Sequence, residues 1–214
     1  MPSRPDPTGE CRSQMALADA LRVLIQLRRP DTVVVTSMSA SRQWPELCQH
    51  ALDFHYVPST MGGAVPLALG VALAQPSREV IVLTGDGSLL MNLGCLVTVV
   101  DAGAVNLTVV LLDNGRYEVT GGQKTAATAH RVHFAGFAQA AGFPNVAQFG
   151  DAVMWRDRAA GLLAAPGPRF FWLRIRPEWE NFALRPPCPM AQQVDRLRRG
   201  LANRHGGDQG GNGS

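Results

Sequence analysis

Charge and cysteine are both scarce in this 214-residue chain, and each scarcity excludes something. Only 17% of the residues are Asp, Glu, Lys or Arg, and the net charge is +3. Many of the arginines sit near the two ends, from Arg4 to Arg29 and from Arg185 to Arg204. No basic face is written into the middle of the chain, so a nucleic-acid partner is not expected. The four cysteines, Cys11, Cys48, Cys95 and Cys188, lie far apart, with no CxxC pair and no histidine at ligand spacing. That argues against a zinc site and for reduced thiols. The first residues, MPSRPDPTGE, contain no apolar core of a signal peptide, and no apolar run reaches the length of a membrane span. A cytoplasmic protein without a membrane segment is expected. There is no internal repeat.

What is present is an apolar majority in alternating elements. With 46% apolar residues the chain can bury a sizeable core as one domain. That domain is expected over residues 14–202, between a polar, proline-rich tail (1–13) and a glycine-rich tail (203–214), both read as disordered. Leu17, Leu21, Leu24 and Ile25 recur at helical spacing before Pro30, which predicts a helix over 14–29. The β-branched run Thr32–Thr36 reads as a buried strand. Further helices are expected over 44–52, 64–74, 89–102 and 134–141, with a short one within 186–201. Strands are expected over 54–56, 80–83, 107–112, 146–149 (an edge) and 170–175. Continuous apolar strands separated by helices point to an α/β fold: a three-layer α/β/α domain with a mostly parallel six-stranded sheet. Ligands of such sheets bind beyond the carboxyl ends of the strands. Two loops fall there, Gly85-Asp86-Gly87-Ser88 and Asp113-Asn114-Gly115.

Alone, the first loop reads as a tight turn in which Asp86 or Ser88 caps a helix. Asn114 changes that reading, because it closes the next strand and adjacent parallel strands would bring it beside Asp86. A carboxylate and an amide oxygen are hard ligands suited to Mg²⁺, which completes its shell with phosphate oxygens and water. Glycines beside a helix start let a backbone approach a diphosphate.

The stretch GDGSLLMNLGCLVTVVDAGAVNLTVVLLDNG is similar to the motif of thiamine diphosphate enzymes, which runs from GDG through a helix and a strand to an asparagine. The resemblance covers about Met15 to Leu201. It implies the thiamin diphosphate-binding fold, with thiamine diphosphate and Mg²⁺ as cofactors. Asp86 and Asn114 stand at the metal-ligand positions, with the backbone carbonyl of Arg116 as third ligand. Gly85, Gly87 and Ser88 match residues that hold the diphosphate. Met61 matches the apolar residue that props the bent cofactor, and the Ser59 carbonyl the group facing its 4′-amino nitrogen. Tyr117, Glu118 and Val119 would line the pocket over the cofactor.

Gly-Ser-Leu-Leu-Met-Asn-Leu-Gly at 87–94 and Thr120-Gly121-Gly122-Gln123 resemble phosphonopyruvate and sulfopyruvate decarboxylases. Those enzymes commonly have proline where this chain has Lys124, which leaves room for a different acid. Arg116, Lys124, His130 and His133 surround the glycine-rich loop and could meet an anionic substrate group, though Lys124 and His130, each taken singly, also read as solvated loop residues. The family also needs a glutamate from a pyrimidine-binding domain. Glu46, Glu79 and Glu118 do not sit in the corresponding context. The resemblance therefore implies the diphosphate-binding subunit of a 2-oxo acid decarboxylase, inactive alone and completed by a pyrimidine-domain alpha subunit in a hetero-oligomer. A homodimer in isolation is compatible with that. An acetolactate synthase-like carboligase subunit and a non-catalytic cofactor-binding module are the alternatives.

Overall fold

Residues 14–129, 132–177 and 185–202 are described by a computed structural model. The leucine stripe makes the first helix, α1 (Leu17–Leu27), which buries Leu17, Leu21 and Leu24. It leads to β1 (Val33–Thr36), buried at every position. Next come α2 (Ser39–Leu47), β2 (Asp53–His55), α3 (Ala64–Ala74) and β3 (Val80–Gly85). They are followed by α4 (Asp86–Leu90), α5 (Cys95–Asp101) and β4 (Leu107–Asp113). A small hairpin of β5 (Arg116–Tyr117) and β6 (Gln123–Lys124) precedes α6 (Phe134–Ala141), β7 (Asn145–Phe149) and α7 (Ala152–Ala164). β8 (Arg169–Arg174) and α8 (Met190–Ala202) complete the order.

The main sheet has six strands in the order β2-β1-β3-β4-β8-β7, every pair parallel. Side chains alternate between its two faces. Val33, Val35, Val80 and Val82 pack on one side with residues of α3, α5 and α6, while Val34, Ile81 and Leu83 pack on the other with α1, α2 and α7. The expected three-layer α/β/α architecture is what the chain adopts. Among the described residues no helix is long and apolar enough to cross a membrane, and Cys48, Cys95 and Cys188 are free. The two expected tails lie outside the described residues.

Two local expectations are corrected, and one helix was not foreseen. The helix expected over 44–52 is α2, which begins at Ser39 and carries Pro45 inside it. Ser39, Ala40, Ser41 and Trp44 are all buried there, so tertiary packing overrides the turn-like composition of Ser39–Ser41. The helix expected over 89–102 is two, because Asn92 Nδ2 donates to the Gly62 carbonyl (3.1 Å) in the break between α4 and α5. α7 was not anticipated. Its charged residues blur the apolar stripe, and only Trp155 and Ala159 are buried. Its start is set by Asp151, whose carboxylate accepts from the Val153 and Met154 amides, both at 2.9 Å. The strand expected over 170–175 is β8, the last in chain order, and it lies between β4 and β7 in the sheet.

Buried polar groups tie the outer elements down. Gln193 of α8 is fully buried and accepts from the His55 amide at the β2 edge (2.9 Å), donating in turn to the Cys188 carbonyl (3.2 Å). The His55 ring meets Thr36 Oγ1 at 2.8 Å. Burial, helped by Arg196 and Arg28, pushes His55 down to about 4, so it is neutral near pH 7.

Candidate active site

The strand order reverses at β1: the chain steps outward from β1 to β2, then returns to place β3 on its other side. In open parallel sheets the crevice outside the carboxyl ends at such a point is where ligands bind. A cleft of about 470 Å³, its open mouth included, lies at the carboxyl ends of the strands. Ser37–Ala40 after β1, Gly85–Ser88 after β3 and Arg116–Thr120 after β4 line it, with Asn114, Met61 and Ile175.

The structure thus brings Gly85, Asp86, Gly87, Ser88, Asn114, Arg116, Tyr117, Glu118, Val119 and Met61 to one cleft. Ser59 is half-buried and Lys124 exposed, and neither lines it. His133 has a structural role in α6. Its Nδ1 accepts from the Gly136 amide (2.9 Å) as the cap of α6, and its ring packs edge-on against Trp172. His130 lies outside the described residues.

Asp86 is 1% exposed, in the first turn of α4. Burial and the neighbouring Asp113 carboxylate push it up to about 7. What counters the shift is hydrogen bonding from Thr125 and from the Asp86 and Gly87 amides. Two buried carboxylates side by side form an environment that a divalent ion would relieve. Asp113 is itself held by the Trp172 indole (2.9 Å) and the Gly115 amide (3.1 Å). That fixes the turn carrying Asn114, whose Oδ1 accepts from the Arg116 amide at 2.8 Å and, as an amide oxygen, keeps a second lone pair. Among the described residues no group of three or more His, Cys, Asp or Glu side chains is placed to hold a metal. A cation here would rely on Asp86, an amide oxygen, main-chain carbonyl and ligand-borne oxygens, which is the sparse protein donor set of Mg²⁺.

The glycines divide their work. A Cβ at Gly85 would meet nothing within 4 Å, so bare backbone faces open space at the crest of β3. A Cβ at Gly87 would lie 2.4 Å from Tyr117 Cε1. Gly87 is therefore demanded by the Tyr117 ring packed on it, a reason that the GDG pattern alone did not reveal. Ser88 Oγ accepts from the Gly62 amide (3.0 Å), tying the Met61 loop to the GDG turn.

Three cleft residues after β1 escaped the sequence reading. Met38 is the sole non-glycine residue with positive φ among those described, at φ 52°, a strain of the kind found at functional sites. Ser37 Oγ donates to the Leu83 carbonyl (3.0 Å), and Ser39 Oγ donates to Glu118 Oε2 (2.6 Å) across the cleft. Their one available signal was position: Thr-Ser-Met-Ser follows a strand that ends beside GDG.

Residues 32–168 match the family described as thiamine pyrophosphate enzyme, C-terminal TPP binding domain. Over 177 residues the chain is 38% identical to a phosphonopyruvate decarboxylase of Streptomyces viridochromogenes, covering 83% of this chain and 44% of that protein. Over 122 residues it is 42% identical to a sulfopyruvate decarboxylase subunit beta of Methanothermobacter thermautotrophicus, covering 57% and 62%. The X-ray structure of a Mycobacterium smegmatis protein, described as thiamin diphosphate-dependent, superposes with a TM-score of 0.63 at 23% identity. It covers 77% of this chain and 32% of that one. The chain thus spans less than half the length of the phosphonopyruvate decarboxylase it matches.

Proposed function

Because the chain belongs to the thiamine pyrophosphate enzyme family through its TPP-binding domain, we propose that it is the diphosphate-binding subunit of a Mg²⁺-dependent 2-oxo acid decarboxylase. The substrate would be phosphonopyruvate, sulfopyruvate or a related acid, and a separate pyrimidine-domain subunit would complete the site. The observation that carries this reading is geometric: Asp86, a buried carboxylate, and Asn114 line the wall of one cleft at neighbouring strand ends.

Asp86, Asn114 and the Arg116 carbonyl would hold the cation, with diphosphate oxygens and water filling its remaining positions. Gly85, Gly87 and Ser88 would border the diphosphate. Met61 would support the cofactor from below, and the Ser59 carbonyl would meet its pyrimidine. Tyr117 would cover the GDG turn. When bound, the cofactor supplies the electron sink for loss of CO₂. Glu118 is oriented by Ser39 on the cleft wall and is suited to moving a proton at the substrate. Val119 beside it, 37% exposed, would exclude water, and Lys124 would approach an anionic substrate from the rim. The two-subunit organisation is supported by the relative named as a beta subunit. The place of action proposed is the cytoplasm.

Reconstitution tests this reading. The chain alone should release no CO₂ from either acid, and co-expression with a pyrimidine-domain subunit should restore Mg²⁺-dependent release. Full activity of the isolated chain would contradict the two-subunit reading.

A further inference from the structure

The cation site is built on residues from two strand ends, and something must set the distance between them. We propose that Thr125 is the positioning residue that does so, and that through it the hairpin of β5 and β6 is mechanically part of the metal site. The inference rests on the metal-site reading above and deepens it.

Three contacts of Thr125 support it. Its Oγ1 donates to Asp86 Oδ2 at 2.5 Å, between two buried side chains. Its backbone amide donates to the Gly115 carbonyl at 2.9 Å, the residue between Asn114 and Arg116. Its Cγ2 methyl packs at Gly87, where an added Cβ would lie 3.2 Å from it. One residue therefore grips the Asp86 carboxylate at the start of α4, the glycine beside it, and the turn that presents Asn114 and the Arg116 carbonyl.

A hydrogen bond to one carboxylate oxygen fixes the plane of the group. The other oxygen is then directed without help from the cation, which lowers the reorganisation that binding requires. Gly115 carries φ 69°, so its carbonyl sits in a turn that few alternative residues could hold, and the Thr125 amide donates to that carbonyl.

Thr125 also ends the hairpin. Arg116 pairs with Lys124 in its ladder. Arg116 Nη1 donates to the Gly122 carbonyl (2.9 Å), and the Gly122 amide donates to the Tyr117 carbonyl (2.9 Å). The segment bearing Glu118 and Val119 is thus closed on itself and joined to Asp86 through the Thr125 hydroxyl. Seating of that segment and the geometry of the cation site are one event.

The test is calorimetric titration of Mg²⁺ into the full chain at saturating thiamine diphosphate. Thr125→Val keeps the shape and the backbone amide but removes the hydroxyl, and Thr125→Cys retains a weak donor should valine fold poorly. Outer-shell losses typically weaken metal affinity by about 10–100-fold. Thr125→Val should fall in that range, Thr125→Cys between it and the parent, and Thr125→Ser within about threefold of the parent. A role confined to folding would lower the unfolding midpoint and leave the Mg²⁺ Kd unchanged; that result overturns the inference. If the parent chain shows no Mg²⁺-dependent binding, or Asp86→Ala binds as the parent does, the metal-site reading itself is wrong and this inference goes with it.

Discussion

Asp86→Ala should abolish Mg²⁺-dependent binding of thiamine diphosphate while leaving the cofactor-free chain at least as stable at pH 8. The two effects have opposite signs and one cause. Asp86 is the proposed anionic ligand of the cation, and its loss removes the only negative protein donor in a set of three. A charged contact worth about 3 kcal/mol corresponds to roughly a hundredfold in Kd. The same carboxylate is a liability before the cation arrives. Its folded-state pKa is raised from 3.8 to about 7, so the folded chain binds that proton more tightly than the unfolded one. The favourable contribution is present below the ordinary carboxylate value and is lost as pH rises through about 7. Alanine escapes that loss. Thermal unfolding of parent and variant without Mg²⁺ should show the variant's relative advantage growing from pH 5 to pH 8. An advantage that shrinks over that range, or a Kd raised less than about threefold, would contradict the assignment.

Arg28→Met should cost the fold roughly 3–5 kcal/mol, the usual penalty for stranding a buried charge. Arg28 Nη1 meets Asp53 Oδ1 at 2.6 Å, with side chains 5% and 1% exposed. The Trp44 indole donates to the second oxygen at 3.2 Å. Arg28 Nη2 also donates to the Thr32 carbonyl (2.8 Å) and meets His50 Nδ1 at 3.0 Å. Burial raises the Asp53 pKa and outweighs the pull of Arg28, so the carboxylate is poorly placed even with its partner. Methionine keeps most of the volume and removes the charge. The double variant Arg28→Met with Asp53→Asn should recover part of the loss, since no charge is then stranded. Urea unfolding measures both. A single variant losing under about 1 kcal/mol, or a double variant whose losses simply add, would show that the pair contributes little.

The legible parts of this chain were those whose signal is local. The apolar runs at β1, β3 and β4 stated both strand and burial, and their alternation with helices was enough to place a parallel sheet. The cleft ends of β3 and β4 could be read because Asp86 and Asn114 close neighbouring strands. What escaped depends on contacts distant in sequence. The break between α4 and α5 involves Asn92 reaching the Gly62 carbonyl, which no window around Asn92 displays. Ser39 and Glu118 meet across 79 positions, and Thr125 reaches Asp86 across 39. α7 failed for another reason: its Arg-Asp-Arg segment dilutes the apolar period that a sequence reading follows. His133 shows the same limit, since its position beside the glycine-rich loop gave no hint that Nδ1 caps α6.

The central claim is that Asp86 and Asn114 form a cation site for a bound diphosphate, and diffraction can address it directly. Crystals grown with thiamine diphosphate and Mn²⁺ in place of Mg²⁺ should give one strong anomalous peak. It should lie about 2.1–2.3 Å from an Asp86 carboxylate oxygen and Asn114 Oδ1, with diphosphate oxygens completing the shell. A peak away from those two residues, or cofactor bound in the cleft with no metal beside Asp86, would contradict it.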